Sequence, residues 1–178
     1  MNTVNDRKRW STQITSGCEE LIRSTLQCRR LVYVEQSPDE PVDQVKLILD
    51  YSGVDAFAIH DKKKHSALSF RVTNYDRPQV TIRGSELPQW MERQAYIQPD
   101  YHIQLSRPRG QNHIHCMTVV DVNEFRDLVA VDQYLTEVAL NDGSGSFYRL
   151  NAEGFALPFG LPPLFIASPL PSASPCSG

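Results

Sequence analysis

Between Val45 and Arg83 the chain alternates short segments rich in Val, Ile, Leu and Phe with polar, turn-forming clusters. Antiparallel strands satisfy that spacing and long helices do not. Val45 to Asp50 predicts a strand, Ser52-Gly53 a turn or bulge, and Val54 to His60 a second strand. DKKKH, Asp61 to His65, predicts a charged hairpin turn. Ser66 to Asn74 follows as a strand, Asp76 to Pro78 as a turn, and Gln79 to Arg83 as a further strand. The prediction is an antiparallel meander whose apolar content requires cover on at least one face.

Helical patterns lie on both sides of this meander. Leu21, Ile22, Thr25 and Leu26 form an apolar stripe within Gly17 to Arg29. Ser16 stands at the N-cap position, and Glu19 and Glu20 in the first turn suit the helix dipole. Leu31 to Glu35 alternates as a short strand, and Ser37 to Pro41 is a loop. Ser85 begins a helix with Pro88 in its first turn and Trp90, Met91 and Gln94 following. Tyr101 to Leu105 and His113 to Val120 predict strands split by the turn SRPRGQN. Asp121 or Asn123 caps a helix through Phe125, Leu128 and Val129, continuing to Tyr134 and Leu135. NDGSGS, Asn141 to Ser146, is a turn before the strand Phe147 to Leu150. This order predicts an α+β domain over residues 1–154, with a mixed, mainly antiparallel sheet and flanking helices.

Residues 155–178 differ in kind. They contain no charged residue and half of the 12 prolines in the chain. Their proline spacing is incompatible with a regular helix or a central strand. Phe155, Leu157, Phe159, Leu161, Leu164, Phe165 and Ile166 are too apolar to float in water. The extension therefore wraps over the domain's own core or docks into a protein partner. Residues beyond Ser168 read as disordered.

The net charge of -3 conceals segregation: residues 1–30 carry six Lys/Arg against three acids, and residues 31–60 carry one against six. Residues 61–110 carry nine against five, and the remainder two against seven. Such blocks allow a basic face despite an acidic total. No run of apolar residues is long enough to span a membrane, and no apolar segment follows the basic residues of MNTVNDRKRW. A soluble, cytoplasmic protein with no membrane partner is expected.

Cys18, Cys28, Cys116 and Cys176 form no CxxC pair and are too few for a disulfide scaffold. His113 and His115 share one strand face, but two ligands fall short of the three or four a zinc site uses. No GxSxG, Walker loop, GxGxxG, HExxH or EF-hand sequence occurs.

One constellation remains. Asp50 ends one predicted strand, and Asp55 starts the next after a glycine. Across the hairpin lie Ser69 and Arg71, two residues apart and so on one face. GVDAF (Gly53 to Phe57), FRV (Phe70 to Val72) and TIR (Thr81 to Arg83) together resemble the PD-(D/E)XK nuclease superfamily, in its phage and mobile-element branches. The resemblance implies a restriction-endonuclease-like sheet and Mg²⁺-dependent phosphodiester cleavage. There an Asp on one strand and an acid on the next hold the metal, and a Lys two positions on orients the attacking water.

Carried over, Asp55 matches the first Asp, Ser69 stands in the second acid's place, and Arg71 in that of the Lys. Serine is a poor metal ligand, and arginine binds phosphate but cannot act as a base. A displaced acid could come from Glu19, Glu20, Glu35, Asp50 or Glu86. The expected catalytic residues are thus Asp55, Arg71 and Asp50, with Asp55 and Asp50 as Mg²⁺ ligands. DNA or RNA contacts fall to Lys62, Lys63, Lys64, Arg77, Arg83, Arg107 and Arg109, with Tyr75 or Trp90 stacking on bases. Without catalysis, the same scaffold would serve as an interaction protein, for example an inhibitor of a host nucleic-acid-processing or defence system. The ordinary alternatives are an Asp50 turn, an Asp55–Arg71 cross-strand ion pair and a solvated lysine turn.

Overall fold

The computed structural model describes residues 15, 17–34, 43–74, 79–91, 97–111, 113–127, 135–140, 145–150 and 160–169. In chain order the elements are α1 (Glu19–Leu26), β1 (Arg30–Tyr33), α2 (Gln44–Tyr51), β2 (Ala56–Ile59), β3 (His65–Thr73) and β4 (Val80–Arg83). There follow α3 (Leu87–Met91), β5 (Tyr101–Ser106), β6 (His113–Asp121), α4 (Val122–Asp127), β7 (Leu135–Ala139), β8 (Ser146–Leu150) and β9 (Gly160–Pro169). The larger sheet has six strands in the order β1-β2-β3-β5-β6-β9, and the smaller has three in the order β4-β8-β7. The fold is α+β with a mainly antiparallel, mixed sheet.

The β2–β3 hairpin forms as the sequence predicts, with Ala56 opposite Leu68 and Ile59 opposite His65. Asp61 stabilises its turn by accepting hydrogen bonds from the Lys63 and Lys64 amides at 2.7 and 2.8 Å. Two expectations for the meander fail. Residues 45–50 are helical: Asp43 caps α2 by accepting from the Val45 and Lys46 amides at 2.8 and 3.4 Å. That cap outweighs the β-leaning run Val45–Leu49. The helix then buries Leu49 and leaves Val45 63% and Ile48 57% exposed. Gly53, at φ +71°, turns the chain out of α2 toward β2.

The second failure concerns β4, which does not pair with β3. Instead β3 pairs in parallel with β5, Ser69 opposite His102 and Arg71 opposite Gln104. A parallel pair needs a crossover, and here β4 and α3 fill it. β4 then joins β8 in the smaller sheet, Thr81 opposite Arg149.

Helix boundaries also shift. The cap position of α1 is Cys18, with no side-chain cap, and Ser16 lies outside the described residues. Asp121 does cap α4, accepting from Asn123 N at 2.9 Å and Glu124 N at 3.1 Å. The helix is described to Asp127, and Leu135 begins β7 and is not helical. The expected turn at Asp76 to Pro78 falls outside the described residues, as do Gln94 and Ser37 to Pro41.

Alternation gives the larger sheet two unlike faces. Ala56, Ala58, Leu68, Ile103, Leu105, Met117 and Val119 form an apolar face that packs on Ile22 and Cys18 of the α1 region. On the other face, Phe57 and Ala67 meet Leu49, Val54 and Val34. Farther along that face lie Ser69, His102, Gln104, Ser106 and Thr118, all buried. Nearby, Val80, Ile82, Trp90, Val120, Phe125 and Leu150 form a second apolar cluster across the smaller sheet, α3 and α4. A polar seam is thus enclosed between two apolar clusters. Among the described residues, no helix is long and apolar enough to cross a membrane.

Candidate functional site

Asp55 sits at the head of β2, where three backbone constraints converge. Its carbonyl accepts from Val34 N at 2.9 Å, and its amide donates to Leu68 O at 2.8 Å. Its carboxylate Oδ2 accepts from Phe70 N at 2.6 Å, which anchors the side chain against β3. Asp55 thus bonds β3 on both sides of Ser69, at Leu68 through its amide and at Phe70 through its carboxylate. Ser69 in turn stands opposite His102. Asp55 at the head of β2, Ser69 of β3 and His102 of β5 are therefore linked in a row, by the Asp55 bonds to either side of Ser69 and by the β3–β5 pairing.

The two ends of this row are perturbed in opposite senses. Burial pushes Asp55 up to about 7; the Phe70 amide opposes this, Glu86 and Asp50 add to it, and Arg83 opposes it. At neutral pH the carboxyl is poised between its two forms. His102 is buried, and burial with the nearby Arg71 charge drives it down to about 3. It is a neutral imidazole at any physiological pH. Nδ1 lies 3.1 Å from Ser69 Oγ, and the ring lies 5.1 Å from that of Trp90. Nε2 is buried beside the Thr81 backbone and makes no hydrogen bond among the described residues. Ser69 donating to Nδ1 is consistent with the proton residing on Nε2.

Beside this row, Gln104 ties the two sheets together. Its Oε1 accepts from Thr81 N at 2.7 Å and Thr81 Oγ1 at 3.1 Å. Its Nε2 donates to Thr73 Oγ1 at 3.1 Å and to the Gln79 carbonyl. The edge amide of β4 that β8 does not use is thereby satisfied, and β4 is fixed beside β3 and β5. β4 leads directly to Arg83 and Glu86. Those two pair at 3.5 Å, with Arg83 mostly exposed and Glu86 mostly buried.

The candidate residues do not all converge. Asp50, Asp55, Arg83 and Glu86 are close enough to act on one ionisation, and Arg71 adjoins His102. Asp50 and Arg71 both have interaction partners already. Lys62, Lys63 and Lys64 are exposed in the β2–β3 turn, at the opposite end of β2 from Asp55. The nearest of them, Lys64, pairs with His60, five residues beyond Asp55 and about 17 Å along the hairpin. Arg107 and Arg109 follow β5, near the far end of β3, and Arg107 Nε donates to Asn74 Oδ1 at 2.9 Å. The described cations thus occupy separate places along the hairpin and the crossover. Arg77 and Tyr75 lie outside the described residues, and Trp90 is buried in the second cluster.

Among the described residues, no group of three or more His, Cys, Asp or Glu side chains is arranged to hold a metal ion. A cavity of about 330 Å³ lined by Leu26, Tyr101, Asp121 and Glu124 opens on the face of the sheet opposite Asp55. Sequence reasoning missed His102 and Gln104. Their signal is the polar alternation His102, Gln104, Ser106 within an otherwise apolar strand. No protein-family model, curated protein or solved structure matches this chain.

Proposed function

We propose that this chain is a nucleic-acid-related protein with a nuclease-like core that engages the phosphodiester backbone at Asp55. The observation that supports this most is the anchoring of Asp55 to Leu68 and Phe70 of β3, on either side of Ser69 and directly before Arg71. That is the relation the motif resemblance demands of its first acid, second acid and cation. The restriction-endonuclease-like reading of the larger sheet belongs to the same proposal. Support comes from the β1-β2-β3 meander followed by a parallel fourth strand.

Mg²⁺ takes one or two carboxylates and completes its shell with water and phosphate oxygens. Asp55 with Asp50 or Glu86 fits that minimum, and the Phe70 hydrogen bond uses one oxygen of Asp55 and not the other. Bound there, the ion would neutralise charge on the phosphate oxygens. Arg71 contributes a permanent cation toward phosphate and no base. Ser69 is already engaged by His102, so the second-acid position supplies a structural bond in place of a carboxylate. Binding is therefore favoured over efficient cleavage. The same Ser69–His102 bond favours a second reading, a catalytically inactive scaffold that binds another protein.

The deciding experiment incubates wild type and Asp55→Ala with labelled DNA and RNA, with and without Mg²⁺ or Mn²⁺, reading both retention and cleavage. The proposal expects metal-dependent retention that Asp55→Ala abolishes. Cleavage or retention indifferent to Asp55→Ala removes the site from consideration. No interaction with either nucleic acid leaves the protein-binding reading.

A further inference from the structure

The six-stranded sheet has two edges of very different character. β1, at one edge, is four residues long and opens with Arg30, directly after Arg29. Short, charged edges resist pairing with other chains. β6 is nine residues long, and Ile114, Cys116, Met117, Thr118, Val119 and Val120 within it are all buried. Left uncovered, such a strand is a long apolar edge with a full row of unpaired backbone groups. In this molecule β9 covers it.

β9 is an irregular cover. Its sequence GLPPLFIASP contains three prolines among ten residues, and each lacks the N–H a ladder requires. Between the pairs Met117–Leu164 and Val119–Leu161, β6 advances two residues and β9 three. The surplus falls at Pro162-Pro163. A second surplus lies between Cys116–Phe165 and Ile114–Ser168. Two bulges and three missing donors leave fewer bonds than a regular strand of this length would make. β9 follows β8 in the chain after residues 151–159.

We infer that the outer edge of β6 is a strand-accepting site and that its occupant, residues 160–169, exchanges between copies of this chain. A second copy offers the same backbone pairing, bulges included, so exchange keeps the β6–β9 ladder and gives up the advantage of tethering. The inference does not depend on the nucleic-acid reading.

The test uses a labelled peptide of residues 158–171, the full chain, and a chain ending at residue 154. The shortened chain binds the peptide one to one, about 100-fold more tightly than the full chain, whose own β9 competes as a tethered ligand. Full chains with two different tags, mixed at high concentration, co-purify, and excess peptide abolishes this. Equal peptide binding by both chains overturns the inference. So does an absence of binding by a shortened chain that keeps its near-UV circular dichroism, or an absence of mixed species. Should the shortened chain not fold, a full chain cleaved after folding at a protease site placed within 151–159 replaces it. Retention of its own strand against about 100-fold excess peptide also overturns the inference.

Discussion

Replacing Gln104 with Met keeps nearly the same volume in a fully buried position while deleting every polar contact the amide makes. Thr81 N–H loses its acceptor at a site 1% exposed, and the Gln79 carbonyl loses its donor at a half-buried one. The Thr73 and Thr81 hydroxyls can rotate toward other acceptors, so they add little. A stranded buried backbone group costs about 1–3 kcal/mol, and the half-buried carbonyl costs near the lower end. The sum is about 2–4 kcal/mol. For a chain of this size that lowers Tm by about 5–15 °C. Urea denaturation followed by tryptophan fluorescence suits the purpose, because Trp90 lies in the cluster beside the seam. The companion Gln104→Glu adds a pH signature. The introduced carboxyl would meet the Gln79 carbonyl and be driven above its unfolded pKa. Its penalty is thus small below about pH 4 and grows as pH rises. A loss under about 1 kcal/mol for Gln104→Met, or a pH-independent Gln104→Glu, would refute the claim that this amide holds the sheets together.

Three further outcomes are expected. The folded state holds His102 at about 3, below its unfolded value, so its stabilising contribution is complete above about pH 6.5 and is lost as pH falls toward 3. His102→Phe should therefore flatten the stability profile between about pH 6 and 4, by up to about 1.4 kcal/mol per pH unit; an unchanged slope contradicts the shift. Asp55 carries the opposite sign, since its folded value of about 7 lies above the unfolded one. Its neutral form stabilises below about pH 4, and that benefit disappears as pH rises through 7. Asp55→Asn should thus raise stability by about 1–2 kcal/mol at pH 8 and change little at pH 4, as read by urea midpoints at both values. Destabilisation at pH 8 would count against it. Finally, Asp43→Ala removes the α2 cap and should cost about 1 kcal/mol, with helical circular dichroism reduced. Unchanged stability would mean that packing of Leu49 alone carries the helix.

Local chemistry made part of this molecule readable in advance. The β2–β3 hairpin was legible because DKKKH interrupts two β-rich segments and Asp61 can close the turn with its own side chain. The β5–β6 hairpin was legible for the same reason at SRPRGQN. Asp55 stood out because Gly53 lies two residues before it and a strand follows. The segment 45–50 misled because Val, Leu and Ile suit strand and helix alike in so short a run. The deciding residue, Asp43, lies outside the run itself. Similarly, β4 has strand chemistry whichever strand it pairs with, so its departure to the smaller sheet leaves no local trace.

The amino-acid sequence by itself determined the hairpins, the α+β class, the lysine turn and the exclusion of proline-rich residues from any central strand. Each depends on neighbours within a few positions. Tertiary structure alone decided that β3 lies beside β5, and with it the row Asp55, Ser69 and His102. It alone enclosed Gln104 between two sheets and set β9 on the edge of β6. Those relations join residues 15 to 56 positions apart, and their energy comes from burial and backbone pairing that exist only once the chain has closed on itself.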